Sequence, residues 1–344
     1  MLIATLCNRI SAAAVVALSL AIASASPAAA ADSAVILMYH RFGESAHAST
    51  NIRLDQFEAH IEELRSGNYT VLSVPDILTA LRAGRALPDH TVGITVDDAY
   101  MSVYTEAWPR LRRAGLPFTL FVATDAIDRQ YADYMNWDQI RELRGSGVTI
   151  GSQTASHLHM PANSDARNRE DLTLSNQRFN EELGAVPTLF AYPFGEASTR
   201  IEKIVSEAGF TDAFGQHSGA LNAAIDRFYM PRFALNENFG DLRRFQLVAN
   251  ALPIPHTDLS PRDPTLEQNP PLFGFTLAGD AADLKGLTCY AGDQGQVHTE
   301  QLGPRVEVRL TRPFDPGRAR INCTAPGPDG RWRWLGMLYY VPKP

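Results

Sequence analysis

Ile94-Thr95-Val96-Asp97-Asp98-Ala99 is the stretch on which the reading of the fold turns. Val92–Val96 is a short apolar run of the kind that forms a strand buried on both faces, and two adjacent carboxylates follow it at once. Along a strand, neighbouring side chains point to opposite faces. At a strand end the chain can turn, so that both carboxylates face one pocket, one holding a metal and the other free as a base. The plainer reading is that one of them caps the helix that follows.

Outward from Asp97 the chain alternates, from Val35 to about Leu252. Val35–Tyr39, Phe118–Val122, Val148–Gly151, Thr188–Tyr192 and Thr211–Phe214 read as further strands. Leu54–Ser66, Tyr104–Ala114, Trp137–Arg144, Ile201–Ala208 and Leu242–Leu252 read as helices, the first with Phe57, Ile61 and Leu64 on one face. Repeated strand–helix alternation implies an α/β fold with a mainly parallel sheet or barrel. In such folds the active site lies where strands give way to loops.

Three more strand ends carry suggestive side chains. Val148–Gly151 runs into Ser152-Gln153-Thr154-Ala155-Ser156-His157-Leu158-His159, where Gln153 and His157 share a face if the loop is a helical turn. Neutral imidazole is a good zinc ligand, although an isolated histidine pair is usually incidental. Leu189–Tyr192 ends in Pro193-Phe194-Gly195, a turn whose rings can line a sugar groove. The first strand ends in Tyr39-His40-Arg41. His217, just past Phe214, is a further candidate imidazole. His60 falls on the polar side of its helix and reads as a solvated surface residue. Arg232 either orients Asp97 or makes a structural ion pair.

Beyond the alternating region, Pro253–Pro271 is rich in proline and polar residues and reads as a linker. From 272 to 344 the pattern becomes short β-like runs separated by Gly, Pro and Asp, a small all-β, sandwich-like domain. Cys289 and Cys323 lie in it and read as one disulfide or as two buried thiols. Trp332, Trp334, Tyr339 and Tyr340 either form a sugar-stacking platform or alternate between core and surface of a terminal strand.

The first residues read as a secretory signal peptide with cleavage after Ala30 or Ala31. Arg9 is their only charge, Ile10–Ala25 is apolar or small, and Ser26-Pro27-Ala28-Ala29-Ala30 supplies the small residues of a cleavage site. The product would be exported, periplasmic or extracellular. Loss of Arg9 moves the formal charge from −7 to −8. No basic run is present, which argues against nucleic acid and against an anionic membrane surface. No membrane span is expected after cleavage.

Taken together, the four strand-end motifs resemble the polysaccharide deacetylases with a nodulation-type catalytic domain, carbohydrate esterase family four, over roughly Val35 to Leu252. The resemblance implies a distorted (β/α) barrel over residues 32–252 and metal-dependent hydrolysis of N-acetyl groups from a sugar polymer. It implies Asp97 as general base, Asp98 and His157 as metal ligands, and Phe194 N–H as a donor to the oxyanion. His40 is implied as general acid, with His217 as the second choice. Tyr192, Pro193, Phe194 and Arg232 fall at substrate-binding positions. Two departures stand out. Gln153 occupies a histidine position, and an amide oxygen suits hard cations better than zinc. The metal is therefore Zn2+ held with lowered affinity, another divalent ion, or lost, with His159 a possible substitute ligand. Ala99 replaces a glycine, a mild change if its φ is negative. The rival functions are a polysaccharide-binding protein without catalysis and an O-acetyl esterase. All of them require Asp97, Asp98, His157 and His40 to share one rim of the barrel.

Overall fold

A computed structural model describes residues 30–281 and 284–343. The expected signal segment lies outside these residues apart from Ala30 and Ala31, whose backbone pairs with Leu87–Pro88.

The first sheet is built from β1 (Ser33–Tyr39), β2 (Thr91–Val96), β3 (Thr119–Val122), β4 (Thr149–Ser152), β5 (Leu189–Ala191) and β6 (Asp212–Phe214). They lie side by side in the order β6-β5-β4-β3-β2-β1, all parallel. Two short strands close the edge beside β1: β7 (Ala220–Asn222), antiparallel, and β8 (Phe233–Ala234), parallel. Every residue of β1 and β2 is buried, as expected of strands covered on both faces. Val35, Leu37 and Tyr39 of β1 pack with Phe57, Ile61 and Leu64 of α1 (Leu54–Ser66). Ala34 and Ile36 face a second core with Val74, Ile77 and Leu81 of α2 (Val74–Arg82), and with Phe121 and Phe214.

Helix α2 is absent from the sequence expectation. Its apolar spacing is clear and Ser73 caps it, but Pro75 reads as a breaker unless it is placed in the first turn, where its missing N–H costs nothing. The helices α3 (Trp108–Ala114) and α4 (Trp137–Gly145) follow their strands as expected. The longest helix among the described residues, α5 (Asp165–Leu183), is also new. Its buried side chains are Asn168, Asp171, Leu172, Ser175 and Phe179, so no apolar stripe of period 3.6 marks it. Helices α6 (Thr199–Glu207) and α7 (Leu242–Ala249) complete the barrel.

His60 is corrected by the fold. It is fully buried, stacked on Phe245 at 4.1 Å between centroids. Its Nδ1 accepts from the Tyr39 hydroxyl (3.0 Å) and its Nε2 donates to Gly240 O (2.8 Å). Burial pushes its imidazole down to about 4.

The second sheet has eight strands: β9 (Leu252–Pro253), β10 (His256–Ser260), β11 (Phe273–Leu277), β12 (Thr288–Ala291), β13 (Gly295–Leu302), β14 (Arg305–Arg309), β15 (Gly317–Pro326) and β16 (Trp332–Val341), in the order β9-β16-β15-β12-β13-β14-β11-β10. The segment read as a linker is therefore partly sheet, because β9 pairs with β16 and β10 with β11. Cys289 and Cys323 stand directly opposite in register and are joined by a disulfide. Tyr339 is buried, Trp334 wedges against Phe233, and Trp332 is exposed, so the four aromatic side chains do not form one platform. One apolar cluster runs through both domains, joining Phe190, Tyr192 and Tyr229 to Met337 and Tyr339. Among the described residues, no helix is long and apolar enough to cross a membrane.

Candidate active site

The site lies where β1, β2, β4 and β5 end. Asp97 follows β2 with no exposed surface, and both of its oxygens are held by Arg232: Nη1 to Oδ1 at 2.6 Å and Nη2 to Oδ2 at 2.8 Å. Arg232 is itself buried. Its Nε donates to Gly215 O (3.0 Å), its Nη1 also to Thr95 Oγ1 (3.1 Å), and its guanidinium lies 5.3 and 5.7 Å from the ring centroids of Phe121 and Phe214. A bidentate pair of this kind fixes the carboxylate plane. His40 Nε2, beyond the end of β1, is 4.0 Å from Asp97 Oδ2 and is partly open to solvent.

Asp98 turns the other way, at φ +76. Its Oδ1 lies 3.4 Å from His157 Nε2 and is buried with no hydrogen-bond partner. Burial pushes the Asp98 carboxyl up, but His157, His40 and Tyr100 outweigh it and hold the group down to about 2. Burial pushes His157 down, and Asp98 outweighs that and raises it. Gln153 is buried beside both: its Oε1 accepts from Asp98 N (3.3 Å), and its Nε2 is 3.2 Å from His157 Nε2.

Two ligands of one tetrahedral ion at about 2.1 Å stand roughly 3.4 Å apart. The orphaned Asp98 oxygen and His157 Nε2 meet that spacing, so these two atoms fit a shared divalent cation. As oriented, Gln153 turns its amide nitrogen, which cannot ligate a metal, towards His157 Nε2 (3.2 Å). Among the described residues, no three His, Cys, Asp or Glu side chains are grouped to hold a metal. His159 does not take up the vacancy: its Nδ1 pairs with the buried Glu196 (2.7 Å) and its ring stacks on Phe194 at 4.0 Å.

Backbone strain concentrates here. Ten described non-glycine residues have positive φ, and five of them are Asp98, Ala99, Thr154, His157 and Phe194. Each such residue costs about 1–2 kcal/mol, and strain of this sort collects at functional sites. Ala99 stands at φ +54, so the condition for a mild change is not met and it bears a cost that glycine would not.

Three candidates do not line the cleft. Tyr192 is fully buried in the core against Phe190 and Tyr229 and cannot line a groove. Arg232, equally buried, has no exposed surface and meets the site only through Asp97. His217 packs on Tyr229 at 4.4 Å and lines a separate cavity of about 420 Å³ with Trp334 and Met337. Burial pushes its imidazole down to about 3, so it is neutral, not imidazolium, at neutral pH and is a poor general acid. Of the aromatic turn, Pro193 is buried and only Phe194 is partly exposed to the site, its ring edge 4.6 Å from His157 between centroids.

Asp171 is the residue that sequence reasoning missed. Buried on α5, it accepts from Ala155 N (2.9 Å), Ser156 N (3.1 Å) and Ser156 Oγ (2.6 Å), and so shapes the loop that presents His157. Nothing within its polar helix announces this; only the fold brings it behind the loop.

The fold and the site together define an α/β barrel with an acid–imidazole cluster at its strand ends. Residues 84–213 match the polysaccharide deacetylase family model. The Bacillus subtilis (strain 168) protein YxkH, whose name places it among polysaccharide deacetylases, is 25% identical over 187 residues, covering 54% of this chain and 66% of that protein. The poly-beta-1,6-N-acetyl-D-glucosamine N-deacetylase of Escherichia coli (strain K12) is 27% identical over 217 residues, covering 51% of this chain and 32% of that protein. The structure of IcaB from Ammonifex degensii superposes with a TM-score of 0.56 at 25% identity, covering 64% of this chain and 98% of that one. Over residues 84–213 and in its fold, the chain is similar to the polysaccharide deacetylases. It spans less than the full length of these two relatives, 66% and 32%.

Proposed function

We propose that this chain is an N-deacetylase that hydrolyses the acetamido group of an N-acetylated sugar polymer or oligomer and releases acetate. The observation that carries the reading is the clamp of Arg232 on Asp97, set between the His40 imidazole and the Asp98–His157 pair. Asp97, fixed in plane, takes a proton from the attacking water. Phe194 N–H, by family resemblance, donates to the oxygen on which negative charge develops. His40, on the same side as Asp97 Oδ2, protonates the departing amine as the carbon–nitrogen bond breaks. A divalent cation held by Asp98 Oδ1 and His157 Nε2 would supply Lewis-acid polarisation of the acetyl carbonyl. The name of the Escherichia coli relative makes β-1,6-linked N-acetylglucosamine the first polymer to test. The N-terminal sequence pattern supports an exported location.

The test is acetate release from N-acetylglucosamine oligomers in the presence of Zn2+, Co2+ or Mn2+, with Asp97→Asn expected to lower it by about 10²–10⁴. No release from any amide substrate with any of these ions would sink the assignment. Parallel O-acetyl esters identify an esterase.

Gln153 favours a second reading. A site with two strong donors holds metal weakly, and the barrel would then bind saccharide without hydrolysing it. Oligosaccharide binding with no acetate release selects this reading.

A further inference from the structure

The turn that carries Phe194 is held both by the barrel and by the C-terminal sheet. Phe194 sits at φ +59 and Gly195 at φ +72. Only glycine fits the second position, since a Cβ there would lie 2.6 Å from Gln216 N. A strained turn persists only where its surroundings over-determine it. The turn's own restraints are two short bonds, Gly195 N to Tyr192 O (2.8 Å) and Glu196 N to Pro193 O (3.1 Å).

The barrel adds Tyr192 N to Phe214 O (3.0 Å) and the His159–Glu196 pair (2.7 Å), and further ties come from Tyr229 and the C-terminal part of the chain. The Tyr229 hydroxyl is 3.1 Å from Gly195 O and 2.7 Å from Leu338 O. One buried O–H is thus shared between the turn and β16. Arg318 of β15 reaches Phe194 O at 3.5 Å. Thr265 Oγ1 donates to Ala197 O (3.1 Å), and Thr199 Oγ1 donates to Asp263 Oδ2 (2.6 Å). The two domains meet closely enough that a Cβ on Gly336 of β16 would lie 2.2 Å from Ser218 O.

We propose that Tyr229 is a positioning residue for the reaction: it fastens the Phe194 turn to β16, which makes the C-terminal sheet part of the deacetylase apparatus rather than a separable grip on polymer. The inference rests on the role given above to Phe194 N–H. Tyr229 is only 6% exposed, and its oxygen faces two main-chain carbonyls behind the turn, so it acts through the turn and not on substrate. Phenylalanine in its place would keep the ring's contacts with His217 and Tyr192 and lose only the tie.

The experiment compares wild type, Tyr229→Phe and Tyr104→Phe, the last removing a hydroxyl bonded to Glu142 on the barrel's outer surface. Two readouts are taken: amide hydrogen exchange, and kcat and KM for acetate release from N-acetylglucosamine oligomers. In Tyr229→Phe, exchange across residues 192–197 should quicken by about tenfold or more, with β1 and β2 unchanged, as a local opening requires. With an active wild type, kcat should fall about tenfold with KM within about twofold, a part of the 10²–10³ that full loss of an oxyanion donor costs. Tyr104→Phe should match wild type in both. Exchange unchanged at 192–197, quickening spread evenly over the barrel, or an unchanged kcat overturns the proposal. If wild type releases no acetate, the enzymatic assignment fails while exchange still decides the role of Tyr229. Thr265→Val, which removes a different tie, should give a smaller local effect and serves if Tyr229→Phe does not fold.

Discussion

Arg232 holds both carboxylate oxygens of Asp97, at 2.6 and 2.8 Å, and neither side chain reaches solvent. The two are 135 residues apart in the chain. A buried pair of this kind is weak evidence for stability as a pair, but removal of one partner leaves an uncompensated charge.

Arg232→Ala should therefore destabilise the protein by about 3–5 kcal/mol and abolish acetate release. Denaturant unfolding measures the first effect. A loss below about 1 kcal/mol would mean that Asp97 finds water or another cation, and that the clamp is dispensable.

Gln153→His should tighten binding of Zn2+ by more than about tenfold, since it adds an imidazole beside two existing donors. Competition against a chromophoric chelator reads the affinity directly, independently of turnover. Equal affinity in both proteins would show that position 153 does not face the ion.

His60 links pH to stability. Its folded imidazole sits at about 4 because of burial, against about 6.5 in the unfolded chain. The unfolded state thus binds more protons between these values. The contribution is complete above about pH 6.5 and drains away as pH falls towards 4, with an upper bound of about 3 kcal/mol. His60→Gln cannot titrate, so its urea midpoint should fall less steeply than that of wild type between pH 7 and 4. Parallel curves would refute the assignment.

The Cys289–Cys323 disulfide closes a loop of 34 residues. On the chain-entropy model, opening it should cost about 4 kcal/mol. Comparison of denaturation midpoints with and without reductant checks this, and a shift near zero would show that the eight-stranded sheet holds without the covalent tie.

Much of the candidate site is legible in the sequence. Asp97, Asp98, Gln153, His157 and Phe194 each follow an apolar run, and a parallel sheet places all such strand ends on one rim. Long-range electrostatics and burial were not legible. His60 looked solvated because its helix alone shows no partner, whereas the fold lays Tyr39, Gly240 and Phe245 over it. Tyr192 looked like a groove residue because a strand-end aromatic can face either way, and the second domain covers the side it took.

The sequence by itself determined the alternation of β1 to β6 with helices, the four strand-end motifs and the change to short strands after residue 272. These are local patterns of hydrophobic period and turn chemistry, readable within a dozen residues. Only the tertiary structure decided that Arg232 serves Asp97, that Asp171 shapes the His157 loop, and that Tyr229 and β16 brace the Phe194 turn. Each of those depends on hydrogen bonds between groups 15 to 135 residues apart, whose energy exists only once packing has excluded water from around them.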